Sequence, residues 1–283
     1  MLTDRLSHLL DRFRLESRVF HSGTLCATAD FDAQAGVGHL HVLRRGRLRV
    51  YDAPGGERVI ETPSLMFYAR PSAHWIRGES DGVHPGADLV CASVRIGADA
   101  DSPIARSLPP VLTVPLAAMP KLDGLLDLLF DEAFNERCGR QAALDRLSEV
   151  MILQLLRYCM TTGVVSDGLF AGLSDPRLAK ALNAIHARPG EAWTLDRLAE
   201  VSGMSRARFA AQFRDTLGVT PGDYLTDWRL SIAKTLLKRG DAVKRIAMEV
   251  GYGNASALAR AFAARNAGLS PLEWLARQAT DFA

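Results

Sequence analysis

The sequence predicts an α+β chain of two domains: a small β-barrel with a helical pair, then an all-α domain holding two helix-turn-helix units. Three observations predict it. The spacing of apolar residues changes partway along the chain from a strand-like period to a helical one. About the last hundred residues repeat themselves in order. Charge is split unevenly between the two parts. With 283 residues, 48% hydrophobic and 23% charged, the chain is long enough for about two domains and too apolar for wholesale disorder.

The first part opens with MLTDRLSHLLDRFRLESR. Charges interrupt its apolar positions, so it lacks the unbroken apolar core of a signal peptide. Residues 20–96 read as strands. HLHVLRRGRLRVYD alternates around Gly46, and RVIETPSLMFYAR and ADLVCASVRIG are β-rich. Pro54-Gly55-Gly56 marks a turn. Ser107 to Pro120 carries four prolines and reads as an irregular connector. Residues 121–160 change period: Leu122, Leu125, Leu126, Leu129 and Phe130 form one helical stripe, and Leu144, Leu147, Val150, Met151 and Leu155 a second, parted by Cys138-Gly139. Such a pair either covers the barrel or pairs two copies of the chain. Segment 161–174 (TTGVVSDGLFAGLS) is poor in charge and reads as an interdomain linker. The boundaries are therefore 1–160, 161–174 and 175–283. No run reaches the roughly 18 apolar residues of a membrane helix. Four cysteines without a CxxC fit a reducing cytoplasm better than a disulfide scaffold or a zinc module.

From Asp175 the chain is helical and duplicated. Gly218-Val219-Thr220-Pro221 recurs as Gly268-Leu269-Ser270-Pro271, Phe209 and Phe213 as Leu258 and Phe262, and Ala199 and Gly203 as Ala247 and Gly251. Each copy has the grammar of a helix-turn-helix. In the first, Thr194 caps a helix burying Leu195, Leu198 and Ala199; Ser202-Gly203-Met204 turns; Ser205 caps a second helix that faces Phe209 and Phe213 inward and stops at Gly218. In the second, Val243, Ile246, Ala247 and Val250 face inward, Gly251-Tyr252-Gly253 turns, and Asn254 caps the helix of Leu258 and Phe262. Asp175-Pro176 starts a lead helix. Thr220-Pro221 starts a connector of about 18 residues, roughly 27 Å long, with Tyr224, Leu225, Trp228, Ile232, Leu236 and Leu237 as its apolar stripe. A connector of that length suits two recognition helices about one DNA turn (~34 Å) apart.

Charge agrees. From Gly172 onward Lys and Arg outnumber Asp and Glu by 16 to 11, whereas the remainder is acidic, 18 against 21. A basic C-terminal part suits a polyanion. On the first recognition helix, Arg206 can reach a guanine edge, Ala207, Ala210 and Ala211 can touch thymine methyls, and Arg208 and Arg214 meet phosphates. On the second, Ser256 and Arg260 are the readers. Backbone amides after Ser205 and Asn254 can hold phosphates. No P-loop, GxGxxG fingerprint or Ser-His-Asp arrangement marks another chemistry.

These stretches, WTLDRLAEVSGMSRARFAAQFRDTLGVTP, DYLTDWRLSIAKTLLKRG and IAMEVGYGNASALARAFAARNAGLSPLEW, resemble the AraC/XylS family of bacterial transcription regulators. The first part resembles the family's cupin effector and dimerisation domain: HLHVLRRGRLRV is similar to the first cupin motif and YARPSAHW to the second. The resemblance implies a cytoplasmic, homodimeric regulator of double-stranded DNA, probed by a small effector or stress signal and acting, usually as an activator, through RNA polymerase. The second recognition helix departs from the family pattern. It opens Gly253-Asn254-Ala255-Ser256-Ala257, with little base-reading capacity, and Phe262-Ala263-Ala264-Arg265-Asn266 is less basic than usual.

By the same resemblance, His39, His41 and His74 stand where metal-binding cupins place ligands, and a divalent metal is the cofactor the barrel would take. Arg44-Arg45 stand where the cupin glutamate is expected, which favours an anionic ligand or a metal-free histidine cluster. Cys26 and Cys91 lie on strands and either approach as a redox pair or pack as buried thiols. The alternative function is a cupin-type metal-dependent oxygenase or isomerase with an appended regulatory helical domain.

Overall fold

The computed structural model describes residues 4–53, 55–97 and 102–280; Pro54 of the expected turn lies outside them. The chain divides into two compact units. Residues 15–100 with 108–159 form a sheet unit, and residues 1–14, 101–107 and 160–283 form a helical unit.

Among the described residues, the sheet unit has nine strands in two sheets. They are β1 (Leu15–Leu25), β2 (Thr28–Phe31), β3 (Gly38–Arg45), β4 (Arg47–Asp52), β5 (Gly56–Ile60), β6 (Ser64–Tyr68), β7 (His74–Glu79), β8 (Ala87–Ile96) and β9 (Leu112–Pro115). One sheet runs β1-β8-β3-β6-β9 and the other β2-β7-β4-β5. The expected small barrel takes the form of two facing sheets, which share no ladder among the described residues. One chain crossing between them is Ala69–Ala73 after β6, where Pro71 has no N–H to continue a ladder. The proline-rich connector is not wholly irregular: β9 lies within it as an edge strand on β6, closing at Pro115.

Every described pairing is antiparallel, so alternate residues face inward. At one end the interior is apolar, with Leu43, Leu48, Ile60 and Leu89. Two residues along the same strands it turns polar. There β3 brings His41, β8 brings Cys91, β7 brings His74 and β4 brings Asp52, all buried.

The helical pair exists as α3 (Asp123–Phe134) and α4 (Arg140–Thr162), after a short α1 (Ser7–Arg12) and α2 (Pro103–Arg106) of the helical unit. Helix α4 pins β1. Asp145 accepts from the Val19 amide (2.8 Å), Gln141 donates to the Val19 carbonyl (2.8 Å), and Ser148 donates to Ser17 (2.8 Å). The first two bonds serve the Val19 backbone on the open side of β1, which is an edge strand of its sheet. Val150, expected on the inner stripe, is instead 42% exposed; Met151 and Ile152 take the buried positions beside it.

The helical unit holds α5 (Gly168–Ser174), α6 (Leu178–Ala187), α7 (Leu195–Ser202), α8 (Arg206–Leu217), α9 (Pro221–Lys238), α10 (Val243–Glu249), α11 (Ala255–Arg265) and α12 (Pro271–Thr280). Two boundaries differ from expectation. Segment 161–174 is no open linker: α5 buries Leu169, Phe170 and Leu173, because its apolar residues recur at helical spacing and outweigh its glycines. Residues 1–14 join the helical unit rather than the sheets: Leu9 and Phe13 are buried, and the Phe13 ring meets Trp228 edge-on at 5.0 Å.

The caps explain where the helices begin and end. Thr194 accepts from the Arg197 amide, Ser205 from that of Arg208, Thr220 from that of Asp223 and Asn254 from that of Ala257. Gly203 and Gly218 close α7 and α8 in the left-handed conformation that side chains resist. Helix α9 runs 18 residues, about 27 Å. Phe213 packs on Tyr224 at 5.6 Å and Phe262 on Trp274 at 5.9 Å.

A junction holds the second unit's turn against the loop before the first. Arg229 on α9 donates to the carbonyls of Pro189 and Glu191, both at 2.8 Å, and its guanidinium lies over the Tyr252 ring. Gly251 sits beneath it at φ +85°, and a Cβ there would come within 2.7 Å of the Gly190 oxygen and 2.8 Å of Arg229. Gly251→Ala should therefore lower unfolding free energy by about 1–3 kcal/mol, while Gly253→Ala, with open space around its Cα, should change it little. Equal denaturant midpoints for the two variants would contradict the junction.

Candidate functional site

Capping and packing decide which side chains α8 and α11 present. With Phe209 and Phe213 fully buried, the side of α8 away from the core carries Ser205, Arg206, Ala207, Arg208, Ala211 and Arg214, all exposed, with Ala210 half-buried. With Leu258 and Phe262 buried, α11 exposes Asn254, Ser256 and Arg260. Nine of the ten expected residues are thus exposed, and Ala210 is half-buried. Arg206 shares an ion pair with Asp196 (3.4 Å), exposed on both sides and exchangeable for a DNA contact at little cost. Arg265 is committed elsewhere: it bridges Asp223 and Asp227 on α9, which holds α11 to the connector and subtracts a positive charge from the second recognition helix.

The second cluster is inside the sheet unit. His39 and His41 alternate onto the inner face of β3, and His74 faces them from β7 in the other sheet. The His41 Nε2 lies 2.9 Å from the His74 Nε2, and the His41 Nδ1 lies 3.1 Å from the Cys91 Sγ. The His74 Nδ1 lies 2.8 Å from the Ser72 carbonyl. A carbonyl only accepts, so the His74 Nδ1 carries the proton and its Nε2 accepts. His41 Nε2–H then donates to His74, its Nδ1 accepts, and the Cys91 thiol donates to it. One backbone carbonyl thus orders three protons across both sheets.

Around this chain stand groups the sequence reading missed. Tyr68 stacks on His74 at 4.0 Å and donates to Asp52 (2.8 Å); Arg58 pairs with Asp52 at 2.7 Å. Phe31 stacks on His74 at 4.7 Å. The β1 bulge turns His21 toward Cys91, its partner in register. The His21 Nε2 and the His39 Nδ1 are buried without a hydrogen-bond partner. In the sequence these residues carry no shared spacing. They meet only through the sandwich, and the bulge moves His21 from the register of Val19 to that of Cys91.

Electrostatics keep the cluster neutral. Burial, with His74 nearby, lowers the His39 pKa to about 4. Burial and the neighbouring imidazoles hold His41 well below the ordinary range, and burial lowers His74. Burial likewise pushes the Cys91 thiol well up. Asp52 is the nearby anion: burial pushes its carboxyl up, but hydrogen bonds from Arg58, Tyr68 and Gly55 prevail and hold it below the usual range.

The donor set does not fit a cupin metal. Both nitrogens of His41 point in opposite directions and are engaged, and among the described residues no three His, Cys, Asp or Glu side chains converge on one point. Arg44 and Arg45 do not line the interior either. Arg44 lies over the Phe130 and Phe134 rings, and Arg45 pairs with Asp88. Of the two readings of Cys26 and Cys91, the redox pair is excluded, and Cys26 is not a buried thiol either. Cys26 is exposed just past Leu25, which pairs with Ala87, whereas Cys91 is buried four residues further along β8. That is about 13 Å at 3.3 Å per residue, beyond the ~7 Å that a disulfide tolerates between Cα atoms.

Comparison with known proteins places both parts. Residues 4–161 match the family described as Cupin, and residues 198–277 the helix-turn-helix domain family. The chain is 34% identical over 163 residues to an uncharacterized HTH-type transcriptional regulator of Haemophilus influenzae, covering 57% of this chain and 54% of that protein. It is 33% identical to a putative AraC-like transcription regulator of Streptomyces lividans, covering 65% and 61%. The matched stretch thus spans little more than half the length of these two relatives. Over a longer span it is 28% identical to the RCS-specific HTH-type transcriptional activator RclR of Escherichia coli, covering 88% and 89%. No helix among the described residues is long and apolar enough to cross a membrane.

The exposed face of α11 yields a measurable outcome. Arg260→Ala should weaken binding to a specific duplex by about 1–3 kcal/mol and leave binding to random duplex nearly unchanged. Equal losses on both, by gel-shift titration, would make Arg260 a phosphate contact instead of a reader.

Proposed function

We propose a function on the premise that this chain belongs to the cupin-bearing AraC-type transcription regulators: it reads two neighbouring stretches of duplex DNA with α8 and α11, and senses a chemical signal at the histidine–thiol chain of its sandwich. The observation that carries the DNA reading is the pair of capped helix-turn-helix units joined by α9, each presenting an exposed second helix. The signal we assign is an oxidant. A thiol hydrogen-bonded to a neutral imidazole is the arrangement that delivers a sulfur nucleophile on demand, and a relative matched over most of its length is named RCS-specific. As the Cys91 sulfur attacks a hydroperoxide, the S–O bond forms and the O–O bond breaks. The His41 Nδ1 takes the thiol proton and returns it to the leaving oxygen, giving a sulfenic acid and water or alcohol. Burial keeps the resting thiol protonated, so the reaction depends on that transfer.

Oxidation would insert a polar oxygen between the sheets and break the ordered chain, which biases two arrangements of the regulator. The outward Val150 and Leu128, 42% and 47% exposed, suit pairing of two copies through α3 and α4. A DNA-bound regulator of this kind works in the cytoplasm and acts through contact with RNA polymerase, and two relatives are named transcriptional activators. The enzyme alternative, a metal-dependent oxygenase or isomerase, needs donors that meet at one point; here the imidazoles are spent on one another.

The test is genome-wide footprinting of the full chain with and without a mild peroxide, alongside Cys91→Ser and His41→Gln. The wild type should occupy discrete sites whose occupancy or transcriptional output changes with peroxide, and both variants should occupy the same sites without that change. An unaltered response in Cys91→Ser would overturn the sensor assignment; the absence of discrete sites would overturn the DNA reading. A response to a small metabolite in place of peroxide would return the sandwich to an effector pocket.

A further inference from the structure

The helical unit contains a second cleft that neither DNA reading nor thiol chemistry uses. Helix α1 lies against α6, α9 and α10 and borders an open cleft of about 330 Å³. Leu9 and Phe13 anchor α1 by burial, and Arg5 donates to the carbonyl of Leu173. Ile232 and Leu236 supply an apolar patch of the lining.

The lining holds an unpartnered group. His186 on α6 is only 1% exposed. Its Nε2 meets the Tyr224 hydroxyl at 2.7 Å, while its Nδ1 has no partner although it is buried in the wall. A buried polar nitrogen without a hydrogen bond is unfavourable, so such a group beside a cleft points to a ligand that would satisfy it. Burial lowers the His186 pKa to about 3, so the ring is a neutral hydrogen-bonding group. The Asn183 Oδ1, one turn earlier on the same helix, is likewise unpartnered.

The rim carries both signs of charge. Asp11 and Glu249 provide carboxylates, and Arg12 and Arg239 guanidiniums; Arg12 and Glu249 pair across the cleft at 3.2 Å. Two formal charges of each sign around a small cleft match neither a plain anion nor a plain cation. They match a molecule that carries both.

We propose that this cleft binds a free α-amino acid. Its carboxylate faces Arg239, its ammonium faces Asp11, and its polar atoms reach the His186 Nδ1 beneath them. Glu249 closes α10, the first helix of the second helix-turn-helix unit, so an occupant touches an element that positions α11.

The test is calorimetric titration of the full chain with each of the twenty protein amino acids, and with acetate and ethylamine as single-charge probes. At least one amino acid should bind, and both single-charge probes should bind at least tenfold more weakly. Asp11→Asn and Arg239→Gln, both at exposed positions, should keep the wild-type melting temperature and each weaken that amino acid at least tenfold. The proposal is overturned if no amino acid binds, if acetate or ethylamine binds as well as the amino acid, or if both variants bind it unchanged. Cys91→Ser should bind the amino acid like the wild type, so failure of the oxidant reading leaves this result standing.

Discussion

A single guanidinium, that of Arg229, holds the reading apparatus in one geometry. It rises from the middle of α9, takes two carbonyls of the loop that precedes the first helix-turn-helix unit, and covers the Tyr252 ring in the turn of the second. Hydrogen bonds from a charged donor are the stronger kind, and these are half-buried, where water competes less. The residues around it conform: Gly190 and Gly251 approach so closely that neither has room for a side chain. A connector of 18 residues sets the separation of the two units, and Arg229 with its glycines sets their rotation about it. Without that constraint, two independent helix-turn-helix units would each contact DNA weakly. With it, the second contact follows the first at little further entropic cost.

The sheet unit shows a different use of rigidity. Its interior is apolar at one end and holds a chain of imidazoles and a thiol at the other. A buried polar chain is stable only when its members satisfy one another, and here the order of protons follows from the Ser72 carbonyl. The chain crosses between two sheets that share no ladder among the described residues, so altering it at Cys91 alters a link between the sheets themselves. That is the physical reason for assigning sensing to this position instead of to the exposed Cys26 or Cys138.

The helical unit was legible in the sequence because its signals are local. Thr194, Ser205, Thr220 and Asn254 cap where capping residues precede apolar stripes, and Gly203 and Gly218 stop helices at left-handed positions. The histidines were legible as three residues but not as a chain, since the 2.9 Å contact between His41 and His74 depends on how two sheets face each other. His21, Tyr68 and Asp52 were illegible for the same reason. The burial of α5 and the membership of α1 in the helical unit were missed because a short apolar helix and a flexible segment share composition; only the surface available for packing distinguishes them. The redox-pair reading of Cys26 and Cys91 failed on register, which alternation alone does not fix.

The central claim is that α8 and α11 read DNA as one rigid pair. It is tested most directly by inserting base pairs between the two contacted stretches of a footprinted site. A rigid pair spans a single separation, near one helical turn of ~34 Å. Inserting about five or about ten base pairs should each abolish protection of the second stretch and reduce affinity to that of one unit. Affinity and protection that survive either insertion would contradict the account.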